Sequence, residues 1–432
     1  MAKNLFLKNA FKLTIITLLM RGVGTVFMIF IANKIGAEGV GLYQLTFSIY
    51  YLFTTLATSG ISLAVTRIVS EKVAINDNKS AIVAFKYCLF LSIILSIISS
   101  ILLFSFSPNI SNILIKDNRV ILPLKILSIG LPFLSVASCI RGYFLGLKSA
   151  VKSSMTDVIE QVTQIIITCP LLIIFGTKSI ENACLALIIG STASEFLSCI
   201  YGVILYFKNK LIFDKNSKNN TTNKSIFKKI LSIIIPIALS SYVRSILTTL
   251  ENILVPTGLK KFGQSSQNSL AQYGLIKGMV LPILYFPSAI LSAFASLLVP
   301  EISQAAATNS QTRIVYITNR CIKMTLSFSV FITTMFFIYS NQIGQAIFGN
   351  SQVGVFLKFF APLVILMYLD IIVDSILKGL NQQVSSMKYN TLDSIIRASI
   401  IFFLVPIMGI KGFVIMLYVG TIFNALLSFN RL

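Results

Sequence analysis

The chain has 432 residues, 55% of them hydrophobic and only 12% charged, and apolar runs of about 20 residues recur along all of it. This pattern excludes an ordinary soluble enzyme and points to a polytopic membrane protein. Lys and Arg total 36 against 14 Asp and Glu, a formal charge of +22; most of the basic residues lie in short loops, so they are read as orienting the chain in a membrane rather than binding nucleic acid, with an anionic lipid partner as the second reading.

The first 12 residues carry Lys3, Lys8 and Lys12 and look like the charged start of a signal sequence. The apolar run behind them is too long for a cleaved core and many more follow, so it is read as a retained first helix. Twelve spans are predicted, at roughly 11–33, 41–66, 80–106, 120–146, 155–176 and 181–207, then 229–256, 271–299, 313–339, 353–378, 388–408 and 411–430. All are expected to be helices, because lipid offers the backbone no other partner unless a barrel closes, and strand alternation is absent. The N-terminus and the loops after even-numbered spans hold most of the Lys and Arg, which places both termini in the cytoplasm.

The basic, Asn-rich stretch KNKLIFDKNSKNNTTNKSIFKK, Lys208 to Lys229, separates six spans from six. Three parts are expected: an N-terminal six-helix lobe (1–207), a basic cytoplasmic linker (208–228) and a C-terminal six-helix lobe (229–432). RGYFLGLKSAVKSSMTDVIEQVTQ (Arg141–Gln164) lies over DSILKGLNQQVSSMKYNTLDSIIR (Asp374–Arg397) without a gap, at an offset of 233. An even number of spans between the copies makes the repeat parallel. The fold class is therefore an all-α bundle of about 12 transmembrane helices in two lobes related by a parallel internal repeat.

Charges inside spans are costly and mark function or pairing. Arg21 sits near the middle of the first span, in TLLMRGVGTVF, where a charge costs about 3 kcal/mol on insertion scales. Arg244 is similarly deep in the seventh span. Neither has an obvious acidic partner, which implies a water-filled cavity or an anionic ligand; snorkelling or bonds to backbone carbonyls are the bland alternatives. Glu251, two turns beyond Arg244, and Lys277, entering span eight from the outside at similar depth, can pair. Arg141 and Glu160 reach equal depth across a hairpin. At the repeat positions stand Asp374 and Asp393, with Arg397 one turn beyond, so the pair is expected again with its sign reversed. These four, Arg141, Glu160, Asp374 and Arg397, are read as structural ion pairs. The six cysteines form no C-x-x-C and fall in or beside apolar spans, and histidine is absent. No metal, cofactor or catalytic residue is therefore expected.

GAEGVGLYQL (Gly36–Leu45), RGYFLGLKSAVKSSMTDVIEQV (Arg141–Val162) and YGLIKGMVLPILYFPSAILSAFASLLVPEIS (Tyr273–Ser303) resemble the stage V sporulation protein B family of polysaccharide-biosynthesis proteins. That family lies in the multidrug/oligosaccharidyl-lipid/polysaccharide (MOP) exporter superfamily, together with the lipid II flippases. The resemblance spans nearly the whole chain and rests on diffuse apolar patterns. It implies a MATE/MOP-like fold whose first, second, seventh and eighth helices line a cavity. It also implies basic residues there that hold the pyrophosphate of an undecaprenyl-linked sugar. Arg21 and Arg244 match in span and depth, Arg67 matches a position at the cytoplasmic mouth, and Tyr273 matches the pattern of the eighth helix. Lys277 departs from that pattern, where a small polar residue is usual. Many relatives have fourteen helices; with twelve, a lipid-tail groove built by an extra pair is not carried over.

The expected function is flipping of a lipid-linked oligosaccharide across the bacterial plasma membrane by alternating access, for cell-wall or spore-cortex synthesis, with no enzymatic step. The cavity candidates are Arg21, Arg67, Arg244, Glu251, Tyr273 and Lys277, and the expected partners are an anionic lipid-linked oligosaccharide, the bilayer and a coupling ion of unassigned identity. The alternative is a cation-coupled multidrug exporter of the same superfamily, for which Glu251 is the carboxylate to consider. A membrane glycosyltransferase or polymerase is the remote reading, since the outer loops are short and no D-x-D acidic pair occurs.

Overall fold

Lipid leaves backbone groups to find partners within their own segment. The computed structural model accordingly holds helices and no strand among the described residues, which are 2–75, 77–176, 179–213, 223–308 and 310–432. The helices in chain order are α1 (Ala2–Thr58), α2 (Ile61–Ala74), α3 (Asn78–Asn109), α4 (Ile121–Gly146), α5 (Ala150–Phe175), α6 (Ile180–Phe213), α7 (Asn223–Lys261), α8 (Ser266–Gly274), α9 (Leu281–Tyr285), α10 (Ser288–Ala307), α11 (Gln311–Phe348), α12 (Ser351–Phe360), α13 (Leu363–Gly379), α14 (Gln383–Met408) and α15 (Ile410–Arg431). Residues 214–222 of the expected linker lie outside the described residues.

Nine of these runs are long and apolar enough to cross a bilayer among the described residues, and eleven when each of two bent pairs, Ser266–Tyr285 with Ser288–Ala295 and Ser351–Phe360 with Leu363–Gly379, counts as one span. The first run, Ile15–Ala74, is 60 residues long, about 90 Å if straight and so far more than one bilayer. It breaks at Gly36, whose φ of 70° and ψ of 178° are open in practice only to glycine. Dividing there accounts for the twelfth span. The turn expected between the first two spans is thus a one-residue break in a nearly continuous helix. The eighth span bends by 59° next to Pro287, as expected where a ring displaces a backbone donor.

Two compact units form. One comprises Met1–Ile16 and Leu45–Thr249, the other Thr17–Gln44 and Leu250–Leu432. The units do not follow the chain halves: residues 17–44 pack with the second, and the first part of α7 with the first. In unit 1 a core of Ile68, Phe85, Tyr143, Phe144 and Ile230 joins α2, α3, α4 and α7, with the Phe85 and Tyr143 rings 4.8 Å apart. Asp77 caps α3 by accepting from the Ser80 backbone at 3.1 Å, and Lys72 reaches the same carboxylate at 3.4 Å. In unit 2, Leu298 and Ile302 of α10 pack on Ile372 and Ile376 of α13. Asn33 ties residues 17–44 into that unit by donating to the Ile347 carbonyl at 2.9 Å.

Candidate substrate-contact site

Arg21 lies in the part of α1 that belongs to unit 2, partly buried. Its Nη1 stands 3.5 Å from Ser292 Oγ on α10, the outer limit of a hydrogen bond. Ser292 donates its own proton to the Ser288 carbonyl at 3.0 Å, so it presents a lone pair to the guanidinium. No carboxylate lies within 4 Å of Arg21 among the described residues. A guanidinium has five N–H donors, and one long bond to a hydroxyl leaves most of them unused. Arg244 lies on α7 in unit 1, is exposed, and likewise forms no ion pair among the described residues.

The other candidates divide. Glu251 of α7 and Lys277 meet at 3.0 Å, the carboxylate side chain 10% exposed and the lysine 21%. Lys277 sits in Leu275–Val280, where the chain between α8 and α9 widens into a π-turn, a local irregularity often found at functional positions. It lines a cavity of about 140 Å³ inside unit 2 together with Arg397 of α14, Tyr285, Phe360 and Thr421. Tyr273 is 1% exposed; it is sealed in the core and presents no open wall. Arg67 is exposed midway along α2 and bonds Glu71 at 3.1 Å, and Glu71 also pairs with Lys229 of α7. Its charge is shared in a surface network rather than held free.

The hairpin pairs also divide. Arg141 meets Glu160 at 3.1 Å and, in addition, Asp157 at 2.8 Å. The reversed pair in the second half does not form. Arg397 bonds Asp393 of its own helix at 2.7 Å, and Asp374 bonds Lys378 one turn along at 2.6 Å and accepts from Ser386. The physical reason is proximity: partners at i and i+4 already face each other, so each acid and base is satisfied locally before a cross-helix pair is needed.

Sequence reasoning passed over two polar residues that the fold brings together. Glu195 of α6 is 4% exposed and accepts from the Tyr50 hydroxyl of α1, which lies 2.8 Å from both carboxylate oxygens. The available signal was a lone acid in the apolar run of span six. Ser292, the partner of Arg21, carried no signal, since serines are scattered through the spans.

The family model for polysaccharide biosynthesis proteins matches residues 6–293, about two thirds of the chain. The chain belongs to this family. The polysaccharide-biosynthesis chain is 27% identical over 431 residues to stage V sporulation protein B of Bacillus subtilis (strain 168), covering 99% of itself and 83% of that protein. It is 23% identical over 462 residues to the lipid II flippase MurJ of the same organism, covering 98% of itself and 81% of that protein. Among solved structures it is similar to an inward-facing multidrug resistance MATE transporter of the MOP superfamily, with a TM-score of 0.71, 14% identity and 97% of each chain covered. It is also similar to a MOP superfamily transporter from Pyrococcus furiosus described as having a binding pocket of reversed polarity, with a TM-score of 0.68, 15% identity, and 98% and 94% covered. This family member is a multi-pass membrane protein with the fold of the MOP-superfamily transporters.

Proposed function

We propose that this protein moves an anionic lipid-linked oligosaccharide, an undecaprenyl-pyrophosphate sugar, across the bacterial plasma membrane by alternating access. The observation that carries this reading is Arg21: a guanidinium inside an apolar helix, bonded among the described residues only to a serine hydroxyl at 3.5 Å. A planar fork of unused donors suits the oxygens of a pyrophosphate. Arg244 is a second such cation, on its own unit, and the similarity to a lipid II flippase points to the same ligand class. The wall of the 140 Å³ cavity contributes Lys277 and Arg397, each already matched by a carboxylate, so we assign them to shaping unit 2.

The similarity to MATE transporters favours a second reading, a multidrug exporter. Such a protein would need a carboxylate open to cationic drugs; Glu251 is paired with Lys277 at 3.0 Å, and Glu195, which has no cation beside it among the described residues, is 4% exposed within unit 1. Complementation of a bacterial strain depleted of its own lipid II flippase separates the two. Growth restored by the wild-type chain and lost with Arg21→Ala supports the flippase; no growth, with drug resistance conferred instead, supports the exporter.

The reading places both termini and residues 208–228 in the cytoplasm, and Lys260–Ser269 outside. A cysteine introduced at Ser266 is expected to react with an impermeant reagent in intact cells, and one at Ser217 is not. The reverse pattern would overturn the orientation.

A further inference from the structure

We propose that Glu195 is a reversible proton-binding site inside unit 1, and that the proton is an ion this protein takes up and releases as it works. The second half of the statement rests on the protein being a transporter; the first half does not.

Glu195 is 4% exposed on α6, packed between α4 and α5. On the α4 side Gly130 leaves the space that the carboxylate fills: a Cβ there would overlap Glu195 Oε2. The sole hydrogen-bond donor to the carboxylate among the described residues is the Tyr50 hydroxyl, 2.8 Å from each oxygen. No cation lies within 4 Å of it among the described residues. The charged groups that reach it from neighbouring helices are Glu160 of α5 and Arg141 of α4. These have opposite sign and are paired with each other at 3.1 Å, and Asp157 of α5 holds the same arginine. A single phenol is a weak counterpart for a buried negative charge, which in such surroundings is costly unless matched by a cation or neutralised by a proton.

The site also has somewhere to put that proton. Thr54, one turn from Tyr50 on α1 and close to its phenol, holds a buried hydroxyl with no well-formed hydrogen bond among the described residues. With Glu195 ionised, Tyr50 donates to the carboxylate. With Glu195 protonated, the new carboxylic O–H can donate to the Tyr50 oxygen, and Tyr50 can turn its own proton to the Thr54 oxygen. One proton is gained, every group keeps a partner, and no charge remains buried. Two acidic oxygens and neutral hydroxyls suit a proton, which needs one acceptor at a time, better than a metal ion, which needs several oxygens at once. No group of three or more acidic, cysteine or histidine ligands occurs among the described residues.

The test is infrared titration of the purified protein in nanodiscs, following the C=O stretch of protonated carboxyl groups between about pH 5 and pH 9. A buried carboxyl band that titrates in the wild type should vanish in Glu195→Gln, which keeps the shape and an acceptor for Tyr50. It should persist at a displaced frequency in Tyr50→Phe, which removes the bonding partner. A wild-type band unchanged in Glu195→Gln, or no titrating band at all, would overturn the proton site. Because no substrate is present, that outcome is independent of which substrate the protein carries. In proteoliposomes the ratio of transport rates with and without a pH gradient should fall to unity in Glu195→Gln. A gradient response equal to wild type would overturn the coupling role.

Discussion

Two buried glutamates, one in each compact unit, meet different environments. Glu251 in unit 2 is 7% exposed and touches the Lys277 ammonium at 3.0 Å. Glu195 in unit 1 is 4% exposed and touches a phenol. Burial is nearly the same; the neighbouring helix decides whether the acid is held as half of an ion pair or left to exchange a proton. The internal repeat sharpens the point. In α15, the sixth span of the second half, Ser428 and Asn424 donate to Asp370 on α13 at 3.4 and 3.1 Å. The sixth span of one half supplies an acid, and that of the other supplies donors to an acid.

The largest expected effect comes from breaking the charged member of this contrast. Glu251→Ala leaves Lys277 buried and unmatched, and unfolding in detergent should show a loss of about 3–5 kcal/mol. The double change Glu251→Gln with Lys277→Met should recover most of it. Glu195→Gln removes no ion pair and should cost about 1 kcal/mol or less. Equal losses at the two glutamates would erase the distinction drawn between them.

Arg141 offers an intermediate case, since its side chain is 19% exposed and holds two carboxylates. Arg141→Ala should destabilise by about 2 kcal/mol, below the cost of a fully buried pair. The swap Arg141→Glu with Glu160→Arg should recover part of the loss and no more, because Asp157 then faces an acid. Full recovery would mean that Asp157 contributes nothing.

The smallest effect is expected where the acid is a cap. Burial raises the Asp77 carboxyl, but hydrogen bonds from the Ser80 side chain and backbone and from Lys72 outweigh it and hold it below the usual carboxylate range. A carboxyl lowered on folding contributes stability above its unfolded value, and that contribution fades as pH falls through its folded value. Asp77→Ala should cost about 1 kcal/mol near neutral pH, and the difference from wild type should shrink in acid. A difference that grows on acidification would show that the carboxyl is not held low.

How far the sequence reaches follows from where each interaction is encoded. The membrane-spanning runs are legible because each must carry enough apolar residues to cross the bilayer. The Glu251–Lys277 pair is legible too, since depth can be counted from each end of a span. The reversed pair of Asp374 and Arg397 misleads, because Lys378 and Asp393 stand one turn away and the repeat offset says nothing about such local partners. The Glu195–Tyr50 contact joins residues 145 apart, and only the packing of α1 on α6 brings them together. The units themselves are similarly opaque: that residues 17–44 join unit 2 depends on contacts such as Asn33 to Ile347, across 314 positions.

The central claim is that Arg21 holds an anionic headgroup, and the measurement that tests it most directly is transport of a fluorescent lipid-linked sugar in proteoliposomes, with folded protein quantified alongside. A structural arginine bonded to Ser292 needs bulk and one donor, which lysine supplies; a pyrophosphate contact needs the planar fork, which lysine lacks. We expect Arg21→Ala to abolish transport at near-normal abundance of folded protein, Arg21→Lys to weaken it by about tenfold or more, the equivalent of losing at least one charge-assisted hydrogen bond, and Ser292→Ala to leave it close to wild type. Full transport by Arg21→Ala, or a loss that only tracks the loss of folded protein, would contradict the account.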